Sequence, residues 1–334
     1  NRKKSGFCFT QSAGAINRGS NCLWSKIQTI MRISYSAPAK VILSGEHAVV
    51  YGKQALVSAI NLRLKFHLTI FARSYKDGEI SKEISFISQK VKEYLKKQKI
   101  NLIDKPFNFK IESEIPIGRG LGSSAALSAA AVAAFLEFYS GREFNKEVIN
   151  SLAFKIEKHF HQNPSGVDNS ASCFGGLILY QKKISLTNLD HKIPKSFEEK
   201  LFLIDSGKPK ETTGEMVDFV QTTVDKKILN KIEKTTNKLL ISIKKEDKIL
   251  FKKSLIDNEK LLEKLGVVSE KTKKLLSNLS KFGVGKVTGA GGRETNSGFI
   301  LFLADDKEKL IKYLNIRKIP YYKFIPDDQG LKKL

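Results

Sequence analysis

The hydrophobic pattern changes period repeatedly along the chain. A strand is predicted over 32–43, running into a loop at Ser44-Gly45. Leu62, Leu64, Phe66, Leu68 and Ile70 recur at every second position within a β-rich stretch, 56–72, that Gly78 ends. Ile84, Ile87, Val91 and Leu95 then share one helical face and predict a helix over 84–99. Phe107, Phe109 and Ile111 return to the strand period, and the loop 116–122 follows. An apolar helix starts at Ser123-Ser124 and runs to about Tyr139. Asn145 is placed to cap a further helix reaching about His161, before a loop over 162–168 and a strand over 176–180.

The pattern shifts near Pro194. After a strand over 201–204, helices dominate 212–265, where Leu229, Ile232, Leu239, Leu240 and Ile243 recur close to helical spacing. A helix over 270–281 closes on Phe282-Gly283, a glycine suited to the position after a helix end. A short strand 286–288, a glycine turn, a strand 298–303, a helix capped by Asp305 or Asp306 and a last strand 321–325 complete the chain. This order predicts an α+β protein with one domain over 31–195 and a second over 196–334, without internal repeats.

Composition narrows the class. With 334 residues, 41% of them hydrophobic and 28% charged, the chain can bury a sizeable core. The most apolar stretch, 125–138, is shorter than the ~20 residues that cross a bilayer; it contains Ser128 and Glu137 and reads as a buried helix. The net charge of +24 admits a nucleic-acid or membrane partner. However, the lysines between Lys82 and Lys333 stand mostly as singles and pairs among Asp and Glu, with few aromatics between them. They read as a solvated surface, so neither partner is expected. Cys8, Cys22 and Cys173 form no C-x-x-C, which argues against a disulfide framework or a zinc site and fits a cytoplasmic location. Residues 1–30 contain Arg2, Lys3, Lys4, Arg18 and Lys26 but no Asp or Glu. They read as a disordered or spurious leader, and the fold is expected to start at Met31.

Four segments carry candidate chemistry. In the first, Pro116-Ile-Gly-Arg-Gly-Leu-Gly-Ser-Ser-Ala125, three glycines in five residues let the backbone approach a ligand between a strand and an apolar helix. The free N–H groups of that helix make an anion site, and Ser123 and Ser124 can cap it, bond phosphate or offer a hydroxyl to Mg²⁺. Gly120, Gly122 and Ala125 also fit a loose dinucleotide pattern, and a glycine connection that binds nothing remains an alternative. A Walker A motif is absent. The second segment is the glycine turn Gly289-Ala-Gly-Gly292. The third is Glu157 followed eleven positions later by Asp168. Paired carboxylates can serve phosphoryl transfer, one beside Mg²⁺ and one at the attacking hydroxyl. Alone, Glu157 would more often be a solvated helix residue paired with Lys155 or Lys158, and Asp168 a turn or cap residue. The fourth is Ser36-Ala-Pro-Ala-Lys40 with Gly45-Glu46-His47. A lysine on an apolar strand needs a partner if buried, and an Asp would satisfy both charges.

Together and in this order, the four segments resemble the GHMP kinase family, named for galactokinase, homoserine kinase, mevalonate kinase and phosphomevalonate kinase. Within the family, residues 36–52 and the stretch Asn163-Pro-Ser-Gly-Val-Asp168-Asn169 with Gly175-Gly176 are most similar to the members that act on mevalonate. Galactokinases tend to carry Arg-Val-Asn-Leu-Ile-Gly-Glu-His-Thr-Asp in the first stretch, and phosphomevalonate kinases Glu-Tyr in place of Glu46-His47. The similarity runs over about 33–303, with little from 212–281.

The resemblance implies a two-domain α+β fold, with a ribosomal-S5-like N-terminal domain and a ferredoxin-like C-terminal domain. It implies ATP-dependent phosphorylation of mevalonate to 5-phosphomevalonate in isoprenoid precursor synthesis, with phosphomevalonate or a sugar as the alternative acceptor. It assigns ATP binding to Pro116, Gly118, Gly120, Leu121, Gly122, Ser123, Ser124 and Ala125, and Mg²⁺ to Ser124 and Glu157. Asp168 becomes the catalytic carboxylate and Lys40 its partner. The acceptor would meet Lys40, Glu46, His47, Lys210, Thr212, Gly289, Ala290 and Gly291. Many relatives have Arg where Lys210 stands, and Lys keeps the charge without the bidentate fork. The implied partners are ATP and mevalonate, with a homodimer left open. One departure stands out: the family's last glycine motif usually continues with further glycines and a Cys, whereas here Arg293-Glu-Thr-Asn-Ser297 follows. Arg293 could reach phosphate or face water.

Overall fold

The computed structural model describes residues 7–9, 29–71, 81–160, 164–182, 184–223 and 225–334. Its first sheet is organised by two long strands, β2 (Thr29–Ser44) and β3 (Gln54–Phe71), after a short β1 (Phe7–Phe9). They pair antiparallel along their length, with a register shift between Pro38 and Ala39, where proline has no N–H to give the ladder. The later half of β3, from Leu64 to Ile70, pairs with β4 (Phe107–Ser113), and its beginning, Gln54 to Ser58, pairs with β5 (Leu177–Gln181). A strand not expected from the pattern, β6 (Ser185–Leu189), extends β5.

The alternation read from the sequence is the buried face of β3: Leu64, Phe66, Leu68 and Ile70 are buried. They face α2 (Ser123–Ser140), which also packs on β2, α1 (Lys82–Lys97), α3 (Lys146–Phe160) and α4 (Val167–Phe174). Apolar on all sides, α2 is long enough to cross a membrane, but it lies in the core, with 78% of it buried. The expected caps are present. Asn145 accepts from the Val148 N–H at 3.0 Å, and Asp306 caps the helix that begins at Lys307.

After α5 (Lys195–Glu198) comes a second, antiparallel sheet. Its strands are β7 (Leu201–Asp205), β8 (Gly283–Val287), β9 (Phe299–Ala304) and β10 (Tyr321–Lys323), arranged in the spatial order β10-β7-β9-β8. Helices α6 (Thr213–Thr223), α7 (Lys226–Lys244), α8 (Lys248–Lys264) and α9 (Glu270–Leu279) connect β7 to β8, and α10 (Lys307–Ile316) connects β9 to β10. That order is ferredoxin-like. Both faces of β7 and β9 are buried, so alternate residues enter different cores. Leu201, Leu203, Leu301 and Leu303 join the core shared with the first sheet, while Phe202, Ile204, Ile300 and Phe302 join Met216, Val220 and Leu310.

Three observations differ from the sequence expectation. Parts of the stretch 1–30 are strand: β1 pairs with β4, and β2 begins at Thr29 rather than Met31. The remainder of that stretch lies outside the described residues, as do Gly78 and the residues 161–163. Within 162–168, expected as a loop, the chain already enters α4 at Val167, so Asp168 stands in a first helical turn. Finally, the end of the stretch 196–334 returns to the first sheet. There β11 (Lys332–Lys333) pairs with β2, and buried Arg63 ion-pairs with Asp327 and donates to the Gly330 carbonyl at 2.6 Å.

Candidate active site

The loop 116–122 leaves β4 and enters α2 with Gly118, Gly120 and Gly122 at φ of 70°, 86° and 77°. Two of these glycines are required by their neighbours. A Cβ on Gly120 would lie 3.1 Å from the Thr288 carbonyl oxygen, and one on Gly122 would lie 3.0 Å from Lys40 Cγ. Buried Leu121 anchors the loop, its carbonyl accepting the Lys40 N–H at 3.0 Å. Among the described residues no side chain caps the start of α2, so its first N–H groups and positive dipole end can face an anion.

Lys40 lies beside this loop. Its side chain is only 3% exposed, and its Nζ stands 3.0 Å from Asp168 Oδ1; Asp168 itself is 37% exposed. Strand β2, which carries Lys40, and the first turn of α4 thus deliver a buried ammonium to a half-open carboxylate, as the apolar neighbours of Lys40 require. Across α2, Ser124 Oγ donates to Glu157 Oε1 at 2.7 Å and Ser128 Oγ donates to the same oxygen at 3.1 Å. Glu157 is buried.

The second glycine turn closes against the first. A Cβ on Gly289 would lie 3.0 Å from Gly120 Cα. Thr288 fixes the turn to β2, donating to the Ile42 carbonyl at 3.0 Å and accepting the Ile42 N–H at 3.1 Å. His47 Nε2 donates to the Ala290 carbonyl at 2.9 Å. Burial lowers the His47 pKa to about 4, with the Ala290 contact opposing, so this imidazole is neutral at pH 7.

Several expected acceptor contacts are placed otherwise. Glu46 is fully buried; it ion-pairs with Lys286, also fully buried, and accepts from Asn258 Nδ2 at 3.1 Å. Both its oxygens already meet protein partners. Thr212 forms a reciprocal cap with Glu215, donating to Oε2 at 2.9 Å and accepting the Glu215 N–H at 3.2 Å. Lys210 is exposed and paired with Glu294. Arg293 does not turn to the phosphate loop; its guanidinium stacks on the Phe219 ring at 3.6 Å. Sequence reasoning missed Lys286, Asn258 and the ion pair of Arg119 with buried Asp205. The one signal for Lys286 was a charge next to Val287 in a strand leading to a glycine turn.

Comparison with known proteins places the arrangement. The GHMP kinases N terminal domain matches residues 86–176, the span holding the first glycine loop, Glu157 and Asp168. A mevalonate kinase of Archaeoglobus fulgidus is 33% identical over 267 residues, covering 77% of this chain and 88% of that protein. One of Thermococcus gammatolerans is 31% identical over 318 residues, covering 83% and 91%. The chain belongs to the GHMP kinase family, in its mevalonate kinase branch. Among solved GHMP kinases, the Methanococcus jannaschii mevalonate kinase superposes with a TM-score of 0.71 at 26% identity, covering 89% of this chain and 99% of that one. The two sheets described above are therefore the GHMP kinase fold, and its glycine loop, Lys40 and Asp168 lie where the first and second sheets meet.

Proposed function

We propose that the protein is a mevalonate kinase, transferring the γ-phosphoryl group of ATP to the primary alcohol of mevalonate to give 5-phosphomevalonate and ADP. The observation that carries this reading is the buried Lys40 paired with half-open Asp168 beside the uncapped start of α2. The acceptor follows from relatives named for that substrate over most of the chain. The reaction would take place in the cytoplasm.

Residues 118–125 cradle the triphosphate with backbone N–H groups and the α2 dipole. Asp168 accepts the proton of the acceptor hydroxyl as its oxygen bonds to the γ-phosphorus and the bond to the ADP oxygen breaks. Lys40 holds the Asp168 carboxylate in place through Oδ1. Ser124 and Glu157 suit Mg²⁺: both are hard oxygen donors already 2.7 Å apart, and magnesium needs only one or two protein oxygens beside phosphate. Bound there, the ion would neutralise charge on the phosphates. Gly289, Ala290, Gly291 and neutral His47 border the acceptor end. Lys210 and Thr212 would contribute there only by leaving Glu294 and Glu215.

ADP release by the purified chain with Mg·ATP, tested in parallel on mevalonate, phosphomevalonate, galactose and homoserine, decides the acceptor. Turnover with mevalonate alone is expected. Turnover with another acceptor alone would reject mevalonate and leave the kinase chemistry standing.

A further inference from the structure

The phosphate loop contains a basic residue, Arg119, whose guanidinium is ion-paired with buried Asp205 of β7. A different cation is laid against the loop. Gly118 has φ +70°, and a Cβ placed on it would lie 3.0 Å from Lys208 Cε and 3.6 Å from Lys208 Nζ. The end of the Lys208 side chain thus lies directly against the loop at Gly118.

The backbone carrying Lys208 is pinned on both sides. Asp205 Oδ1 accepts the Gly207 N–H at 2.8 Å, and Ser206 N–H and Oγ donate to the Gly298 carbonyl at 2.9 and 2.7 Å. The Gly298 N–H returns to the Gly207 carbonyl at 3.1 Å, and Asn296 Nδ2 donates to the Lys208 carbonyl at 3.3 Å. Lys40, Arg119 and Lys210 each have an acidic partner. Among the described residues no ion pair involves Lys208. Lysine side chains carry a large rotamer entropy and normally extend into water. One held by a fixed backbone against an anion cradle, without a counter-ion, is in place to receive charge from a ligand.

We infer that Lys208 contacts the triphosphate of the bound nucleotide, supplying a cation to the phosphate loop from the segment that follows β7. This rests on the kinase reading. It assigns the two lysines around Pro209 different tasks: Lys208 faces the nucleotide loop, and Lys210 faces Glu294.

The test compares Lys208→Ala, Lys208→Arg and, as a charge control, Lys245→Ala at the exposed end of α7. ATP affinity is measured by calorimetry without acceptor, and KM for ATP and for mevalonate by ADP release. Loss of one charge-assisted phosphate contact should weaken ATP binding and raise the ATP KM about tenfold. The mevalonate KM should stay unchanged, Lys208→Arg should recover most of the loss, and Lys245→Ala should behave as the parent chain. Unchanged ATP affinity in Lys208→Ala, an equal loss in Lys245→Ala, or a rise confined to the mevalonate KM would each overturn the assignment. Because binding is read without acceptor, a failure of mevalonate as substrate stays separate from a failure of Lys208. A parent chain that does not bind ATP would reject the nucleotide site and Lys208 with it.

Discussion

Replacing Asp168 by Asn tests the centre of the site, because it keeps shape and removes only charge and basicity. The amide oxygen can still accept from Lys40 Nζ, which stands 3.0 Å from Oδ1 in the parent protein. The attraction lost is roughly 5 kcal/mol gross at that distance with an effective dielectric of about 20. Asp168 is 37% exposed, so water already screens much of it. The net destabilisation expected is therefore about 1–2 kcal/mol, a fall of roughly 1.5–3 °C in Tm for a chain of this size. The chemistry suffers far more. Without a proton acceptor the rate should fall about 10²–10⁴-fold, or roughly 3–5 kcal/mol of barrier, while ATP affinity survives. Lys40→Met supplies the contrast. It removes a buried ammonium and leaves Asp168 able to stay hydrated, so stability should hardly change while turnover falls. ADP release and thermal unfolding of both variants provide the comparison. Asp168→Asn turnover within tenfold of the parent would refute the role of this carboxylate, whatever the stability result.

The other predictions concern the buried charges behind the glycine turns. Lys286→Met strands the Glu46 carboxylate and should cost about 3–5 kcal/mol, most of it recovered in the double variant with Glu46→Gln; urea unfolding that shows equal losses in both would reject the pairing. Among the described residues Glu259 Oε1 is buried without a hydrogen-bond partner, and burial raises the carboxyl pKa from 4.5 to about 7, against the opposing pull of the Val287 N–H and Lys286. Its stabilising contribution is therefore complete below its ordinary value and is lost as pH rises through 7. Glu259→Gln should gain on the parent by up to about 3 kcal/mol between pH 5 and pH 8. A difference independent of pH would sink that account.

Local signals made much of this protein legible. The period-two run of β3 and the helical faces of α1 and α7 follow from burying one side of each element. The capping by Asn145 and Asp306 follows from unsatisfied N–H groups at helix starts, and three closely spaced glycines before an apolar helix announce an anion cradle. Even the Lys40 partnership was readable, since a lysine on an apolar strand demands a carboxylate.

What local signals could not contain was the choice among partners. Nothing next to Glu46 in the sequence showed that Lys286, 240 positions away, closes on it in a space without solvent. Arg293 had phosphate and water open to it, and it found the face of Phe219 instead. Arg119 stands in the phosphate loop, and its partner there, Asp205, comes from 86 positions away. The sequence by itself determined the elements, the glycine loops and the need for charge pairing, because backbone sterics, periodicity and desolvation act within a few residues. Which charges pair and which face the ligand was decided only by the tertiary structure, because Coulomb and burial energies depend on distances between segments far apart in the chain.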